Sequence, residues 1–327
     1  MLHTLDVACV GNAKIDAFLS IHEETKYVRN NIETDELCIK SGEKIQVDRC
    51  EFLLGGNAAN VAVGLTRLGL KTGLYAEIGS DELSQKIINT LKEESVHRDF
   101  VTQSKGQASS FSVIINFKGE RTIFSEHVDR PHNFNFDNIS TKSIYLTSLG
   151  HEWKKPYKKV FNFVKKAKCL LAFNPGTLQI QEGHKGVADV LSITDILFVN
   201  KEEAARIVNY ELRIMNQGQN KEEIRQLLEM LHKLGPKIVA ITDRENGSYV
   251  IDEKGEMFTY GTVPCAVVEK TGAGDAYSTG FLAAILHGLS IKEAMRWGAA
   301  NAASVIEKVG AQQGLLHKND MERKLNG

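Results

Sequence analysis

Six short and almost wholly apolar runs, LDVACV, TGLYAEI, SIYLTS, CLLAFN, DILFVN and KIVAIT, recur along the chain, bounded by Gly, Asn, Pro or Asp. Windows with helical spacing of apolar residues lie between and around them: Ala58 to Leu68, Asp81 to Glu94, Lys154 to Lys166, Lys201 to Val208 and Lys221 to Leu234. Runs without polar alternation are what strands buried on both faces require, and helices between them supply the long crossovers that parallel strands need. The alternation predicts an α/β fold with a doubly wound, mostly parallel sheet flanked by helices on both faces.

Two stretches break this rhythm. Residues from roughly Lys26 to Phe52, and SSFSVIINFKGERTIFSEHV from Ser109 to Val128, alternate polar and apolar residues at period two, and NFKGER reads as a hairpin turn. Strands with no helix between them do not belong to a parallel sheet. They are expected to form a small β-sheet lid, inserted from approximately 18–52 and 109–128 into a single α/β domain over 1–327. No linker-like composition or internal repeat divides the chain.

Composition narrows the function by exclusion. The 327 residues carry 40 Lys plus Arg against 41 Asp plus Glu, a net charge of −1, so the basic excess of a nucleic-acid binder or a peripheral membrane protein is missing. Five widely spaced cysteines without a Cys-x-x-Cys pair argue against a disulfide framework or a zinc site. The N-terminus MLHTLDVACVGN has no basic region, and no apolar run is long enough to span a bilayer. A soluble cytoplasmic protein is expected.

The segment VVEKTGAGDAYSTGF concentrates the chemistry. Strands are expected over MFTYGTVPCAVVEK and a helix over DAYSTGFLAAILHGL, which makes Thr271 to Asp275 a strand-to-helix turn. The first N–H groups of such a helix are unpaired and carry the positive end of its dipole, and Gly272, Ala273 and Gly274 leave them open to an anion. Asp275 there suits a base that takes a proton from a hydroxyl attacking a phosphorus. A tight turn with Asp275 as helix cap explains the same residues equally well.

Taken together, GGNAANVAVGLTRLGL, from Gly55 to Leu70, and TGAGDAYSTGF resemble the two signature segments of the ribokinase family, the PfkB carbohydrate kinases. GNAKID, NKEEA, ITDRENGSYV and NAASVIEKVGA extend the resemblance along nearly the whole chain. It implies an ATP-dependent kinase in which Asp275 is the base and the Gly272, Ala273 and Gly274 amides hold the transferred phosphoryl group. Asp16, after the first strand, and Gly55, Gly56, Asn57 and Asn60 are implied to bind the substrate. Asn200, Thr242, Gly247 and Asn301 are implied to contact the nucleotide, and Glu203 to hold a hydrated Mg2+. Each has a plainer reading as well: Asp16 as a solvated cap, Asn57 as a helix N-cap, and Glu203 as part of a dipole-favoured first turn.

Departures from the family pattern sharpen two questions. Asp243 and Arg244 stand where small residues are usual, which touches the nucleotide contacts. Glu269 and Lys270 replace the usual Asp-Thr beside a monovalent-cation site, so Lys270 could stand in for K+, point to solvent or pair with Glu269. There is no G-x-x-x-x-G-K-[ST] loop. The expected reaction is phosphorylation of a primary hydroxyl of a ribose- or fructose-like sugar. A nucleoside kinase of the adenosine type, with Phe117, Phe124 and His127 stacking on a base, and a non-catalytic sensor are the alternatives. A homodimer through the lid is expected, with Leu37, Ile39 and Ile45 filling the interface and Lys40, Glu43 and Lys44 at a solvent-facing turn.

Overall fold

The computed structural model describes residues 2–31, 33–34, 36–118, 120–126, 128–212 and 217–326. The chain opens with β1 (His3–Val10), then makes β2 (Lys14–Ile21), β3 (Val28–Asn31), β4 (Glu36–Ile39) and β5 (Val47–Gly55) before α1 (Asn57–Arg67). Next come β6 (Thr72–Ile78), α2 (Glu82–Glu93), β7 (Val101–Gln103), the hairpin β8 (Phe111–Phe117) and β9 (Glu120–Ser125), and β10 (Ile139–Thr147). Strict alternation follows: α3 (Lys154–Ala167), β11 (Leu170–Asn174), the short α4 (Thr177–Gln181), α5 (Gly183–Gly186) and α6 (Ala188–Leu191), β12 (Ile196–Asn200), α7 (Lys201–Val208), α8 (Gln217–His232) and β13 (Ile238–Thr242). The edge hairpin β14 (Ser248–Ile251) and β15 (Met257–Tyr260) leads to α9 (Ala273–Leu286), α10 (Ile291–Ile306) and α11 (Lys318–Asn326).

Nine strands form the main sheet in the order β15-β14-β13-β12-β11-β10-β1-β6-β7. Its pairings are parallel except at the β13–β14 and β14–β15 edge. Successive β1 residues enter opposite cores, Val7 and Cys9 on the side of α1, α9 and α10, Ala8 and Val10 on the side of α3 and α8. Burial on both faces is why the run LDVACV has no polar alternation. The chain leaves β1 towards β6 on one side and β10 on the other, so the carboxyl ends of β1 and β10 flank the switch point where open α/β sheets bind ligands.

A separate four-stranded sheet, β5-β2-β8-β9, stands beside this edge, with β3–β4 as a small ribbon. Its register sorts the side chains into two faces. Leu53, Asp16, Ser112 and Ser125 form one cross-strand row, and Phe52, Ala17, Val113 and Phe124 form the adjacent row on the opposite face. Phe117 pairs with Glu120 across the hairpin expected at NFKGER.

Two expectations change. Asp16 is the third residue of β2 and so belongs to the small sheet, not to a turn after β1. Residues 261–270, expected to be strand, are irregular: Pro264 lacks an N–H, Val267 and Val268 are exposed, and the Val268 and Glu269 amides donate to Ile306 O at the end of α10. Among the described residues, no helix is long and apolar enough to cross a membrane.

Candidate active site

Gly272 occupies the left-handed region at φ 80°, and a Cβ there would lie 2.4 Å from the Ala311 Cβ. Only glycine fits so close to that backbone. Two residues on, a Cβ at Gly274 would meet nothing within 4 Å, so the start of α9 faces open space. No side chain caps this 14-residue helix. Apart from Ala273 N, which donates to Lys270 O at 3.4 Å, its first amides are presented outwards, the arrangement that favours an anion.

Glu269 holds the turn from behind. Its buried carboxylate accepts from Thr271 N at 2.7 Å and Gly310 N at 3.4 Å, and pairs with Arg121 Nη1 at 3.2 Å. Arg121, on β9, also donates to Thr271 Oγ1 at 2.5 Å. The small sheet is thus bonded directly to the residues before Gly272. Lys270 is exposed to solvent, and the cation against Glu269 is Arg121.

Asp275 lies in the first turn of α9 with only 8 % of its surface exposed. Asn57 Nδ2 donates to its Oδ1 at 3.1 Å and Asn60 Nδ2 to its Oδ2 at 2.8 Å. Ser148 donates to Asn57 Oδ1 at 3.2 Å and Gln312 donates to Asn60 Oδ1 at 2.9 Å, so both amides are oriented with NH2 towards the carboxylate. This pairing shows Asn57 to be more than a helix cap, since Gly56 is the N-cap of α1. Burial pushes the Asp275 carboxyl up to about 7, the two amides oppose the shift, and nearby Asp16 and Glu203 add to it.

Asp16 is buried and its Oδ1 has no hydrogen-bond partner among the described residues. A buried carboxylate oxygen without a donor invites a ligand hydroxyl. Burial raises its pKa, Lys14 and the Ser112 hydroxyl lower it, and Glu269 raises it. The glycines around it are needed for space: a Cβ on Gly55 would come within 1.9 Å of Asp16 Oδ2, and Gly56, at φ 92°, passes so close to Asn12 that a Cβ would lie 2.5 Å from its carbonyl oxygen. Asp16, Gly55, Gly56, Asn57, Asn60 and Asp275 therefore gather around one locus at the switch point.

Asn200 and Glu203 form a reciprocal capping box at the end of β12. Asn200 Oδ1 accepts from Glu203 N at 2.8 Å and Glu203 Oε2 from Asn200 N at 2.9 Å. Burial raises the Glu203 pKa, and its charge is felt by Asp275. One carboxylate near Asp275 fits a magnesium ion that keeps most of its water, and no cluster of three or more metal-ligating side chains exists among the described residues. Thr242 ends β13 at the same edge, and Gly247, at φ 88°, leaves room for Tyr260 O, which a Cβ would approach to 2.2 Å. Arg244 turns outward to pair with Glu202 at 2.8 Å. Asn301 is not brought to the site. It is fully buried, donating to Ala276 O at 2.8 Å and accepting from Leu316 N at 3.0 Å, so it ties α9 to α10 and the C-terminal segment where a nucleotide contact was expected.

Residues that sequence reasoning passed over complete the locus. Lys14 shares one face of β2 with Asp16 and donates to Ser125 Oγ at 3.0 Å. Its signal was the i, i+2 spacing in KID, readable only once β2 is known to be a strand. Arg121, Asn12, Ser148 and Gln312 come from distant segments and carried no local signal.

The model of the pfkB family of carbohydrate kinases matches residues 24–318. A sugar kinase of Archaeoglobus fulgidus is 29 % identical over 267 residues, 79 % of this chain and 100 % of its own length. A nucleoside kinase of Methanocaldococcus jannaschii is 25 % identical over 94 % of this chain and 93 % of its own. The structure of Arabidopsis thaliana ribokinase complexed with ribose and ATP superposes with a TM-score of 0.77 at 21 % identity, covering 99 % of this chain and 100 % of that one. With a buried carboxylate at an uncapped helix start and the family match over most of its length, the chain belongs to the pfkB family of carbohydrate kinases.

Proposed function

We propose that the protein transfers the γ-phosphoryl group of ATP to a primary hydroxyl of a small sugar. The observation that carries this is Asp275, buried and held by Asn57 and Asn60 at the open start of α9. In the reaction the sugar oxygen forms a bond to the γ-phosphorus as the bond to the β–γ bridging oxygen breaks, and the hydroxyl proton passes to Asp275. The Gly272, Ala273 and Gly274 amides face the phosphoryl oxygens, and Asp16 accepts a second sugar hydroxyl. Glu203 would hold the hydrated magnesium that neutralises phosphate charge, with Asn200, Thr242 and Gly247 beside the nucleotide. Asp243 and Arg244 are engaged within the chain, which leaves the backbone at Gly247 as the natural contact. The Arg121 guanidinium at Glu269 supports catalysis without added K+.

A sugar is favoured over a nucleoside by where the aromatic residues point. Phe117 is buried against Ile21 and Val28, and Phe124 lies on the face of the small sheet opposite Asp16. His127 lies outside the described residues. The small sheet serves as a lid that excludes water, on the support of the Arg121 bonds to Glu269 and Thr271. Its outer face exposes Phe52, Phe111 and Phe124, which supports a lid-to-lid homodimer. Five free cysteines and the use of ATP fit a cytoplasmic setting. Turnover with ATP against a panel of sugars and nucleosides tests the assignment: sugars are phosphorylated faster, and a preference for nucleosides would reverse it.

A further inference from the structure

Three consecutive residues of the segment between α10 and α11 reach the turn at the start of α9. Gly310 N donates to Glu269, the carboxylate behind that turn, at 3.4 Å. Ala311 lies against Gly272, whose missing side chain makes room for it. Gln312 Nε2 donates to Asn60 Oδ1 at 2.9 Å, and Asn60 Nδ2 in turn donates to Asp275 at 2.8 Å. The stretch GAQQG, outside both signature segments, therefore braces the site from a third direction.

Gln312 is held from two sides by one helix. It is 5 % exposed, and its carbonyl accepts from Arg67 Nη1 at 2.7 Å. Arg67, the last residue of α1, is fixed by Glu94 through bonds of 2.9 and 2.6 Å. Asn60, earlier on α1, takes the Gln312 side chain.

The backbone of Asp275 is secured separately, since the Ser278 and Thr279 hydroxyls donate to its carbonyl at 3.0 and 2.6 Å. What remains is the state of its carboxylate, and there the direction of the Asn60 amide decides. With NH2 towards Asp275 the amide stabilises the charge; with its oxygen there, two acceptors face each other. Gln312 excludes the second arrangement, because its NH2 needs an oxygen on the side of Asn60 that faces it.

We propose that Gln312 is a positioning residue for phosphoryl transfer: acting through Asn60, it locks that amide in the one orientation that keeps Asp275 available as the base. The proposal rests on the kinase reading and extends its machinery to the segment after α10. The charged and titratable groups coupled to Asp275 are Asp16 and Lys14 on β2, Glu203 on α7 and Tyr145 on β10, and wild type shares all of them with the variants that test the proposal.

The test follows kcat and KM with ATP, Mg2+ and an accepted sugar from about pH 5 to about pH 9. In Gln312→Glu the side chain keeps its size but, when ionised, accepts where glutamine donates. It draws the Asn60 NH2 away from Asp275, so the acid limb of kcat/KM is expected to move up by about one pH unit and kcat at neutral pH to fall by about 10-fold, with KM for ATP little changed. Gln312→Met fills the space without a donor and is expected to give a smaller shift in the same direction. In an Asn60→Leu background, which has no amide to orient, Gln312→Met is expected to cost nothing further. An acid limb at the wild-type position in both Gln312 variants, or losses that simply add in the double variant, overturns the proposal and leaves the kinase reading standing. Wild type that phosphorylates no sugar or nucleoside overturns the kinase reading and the proposal with it. Should Gln312→Glu fail to fold, Gln312→Met and the double variant decide.

Discussion

Asp275 is a carboxylate kept from water, and that single fact sets its pH behaviour. Its folded pKa of about 7 lies above the ordinary 3.8, chiefly through burial. A general base must be ionised, so log kcat/KM should rise with unit slope below an apparent pKa near 7 and level off above it. The stability consequence has a definite sign. A carboxyl whose pKa is raised on folding contributes most when protonated, and that contribution is lost as pH rises from the unfolded value through about 7. Asp275→Asn should therefore melt higher than wild type, by a margin that widens between about pH 4 and about pH 8. A constant or shrinking margin in thermal melts would mean that Asp275 is solvated. The residue-level reading of TGAGDAYSTGF left a helix cap and a base equally open because the deciding groups, Asn57 and Asn60, lie 218 and 215 positions away in sequence.

At the scale of elements, Arg121 joins the small sheet to the turn before α9. Arg121 on β9 reaches Glu269, whose carboxylate positions Thr271 N before the anion turn. Arg121→Gln leaves that buried carboxylate without its cation and loosens the sheet from the turn. Sugar KM should rise by about 10-fold or more, the scale of one charged hydrogen bond, while ATP hydrolysis without sugar increases relative to transfer. Steady-state assays of both activities check this, and unchanged values for both would contradict the latch. The strands of the main sheet were legible because burial on both faces writes an unbroken apolar run, and α7 covers the Lys201–Val208 window that helical spacing predicted. β2 was missed because IDAFLSI gives no period-two pattern: Ile15, Asp16, Ala17 and Phe18 are all buried. The apolar PCAVV segment misled in the opposite sense: Pro264 lacks an N–H, Val267 and Val268 are exposed, and the Val268 amide donates to Ile306 O. The gap between Thr177 and Leu191 holds three short helices broken at Gly183 and Gly186, too brief to show a period.

For the whole molecule, the nine-stranded sheet fixes where ligands meet and the four-stranded sheet decides what surrounds them. The outward face of the latter changes the expected dimer contacts. Leu37 and Ile45 pack within their own chain against Ile21, Val28 and Phe117, while Ile39 stays exposed as expected and Phe52, Phe111 and Phe124 are left exposed on one face of the four-stranded sheet. Light scattering at micromolar concentration should give a dimer for wild type and a monomer for Phe124→Asp, and a wild type of monomer mass would rule the lid dimer out. Fold and family were readable from ordered motifs along the chain, whereas the small polar pocket that joins Lys14, Glu77, Arg130 and His132 draws on three separate segments and has no linear signature. The most direct test of the whole account is single-turnover phosphoryl transfer from ATP to an accepted sugar by Asp275→Asn beside wild type. A loss of about 10²- to 10⁴-fold with nucleotide affinity preserved is the predicted result, and transfer at a rate near that of wild type would contradict the account.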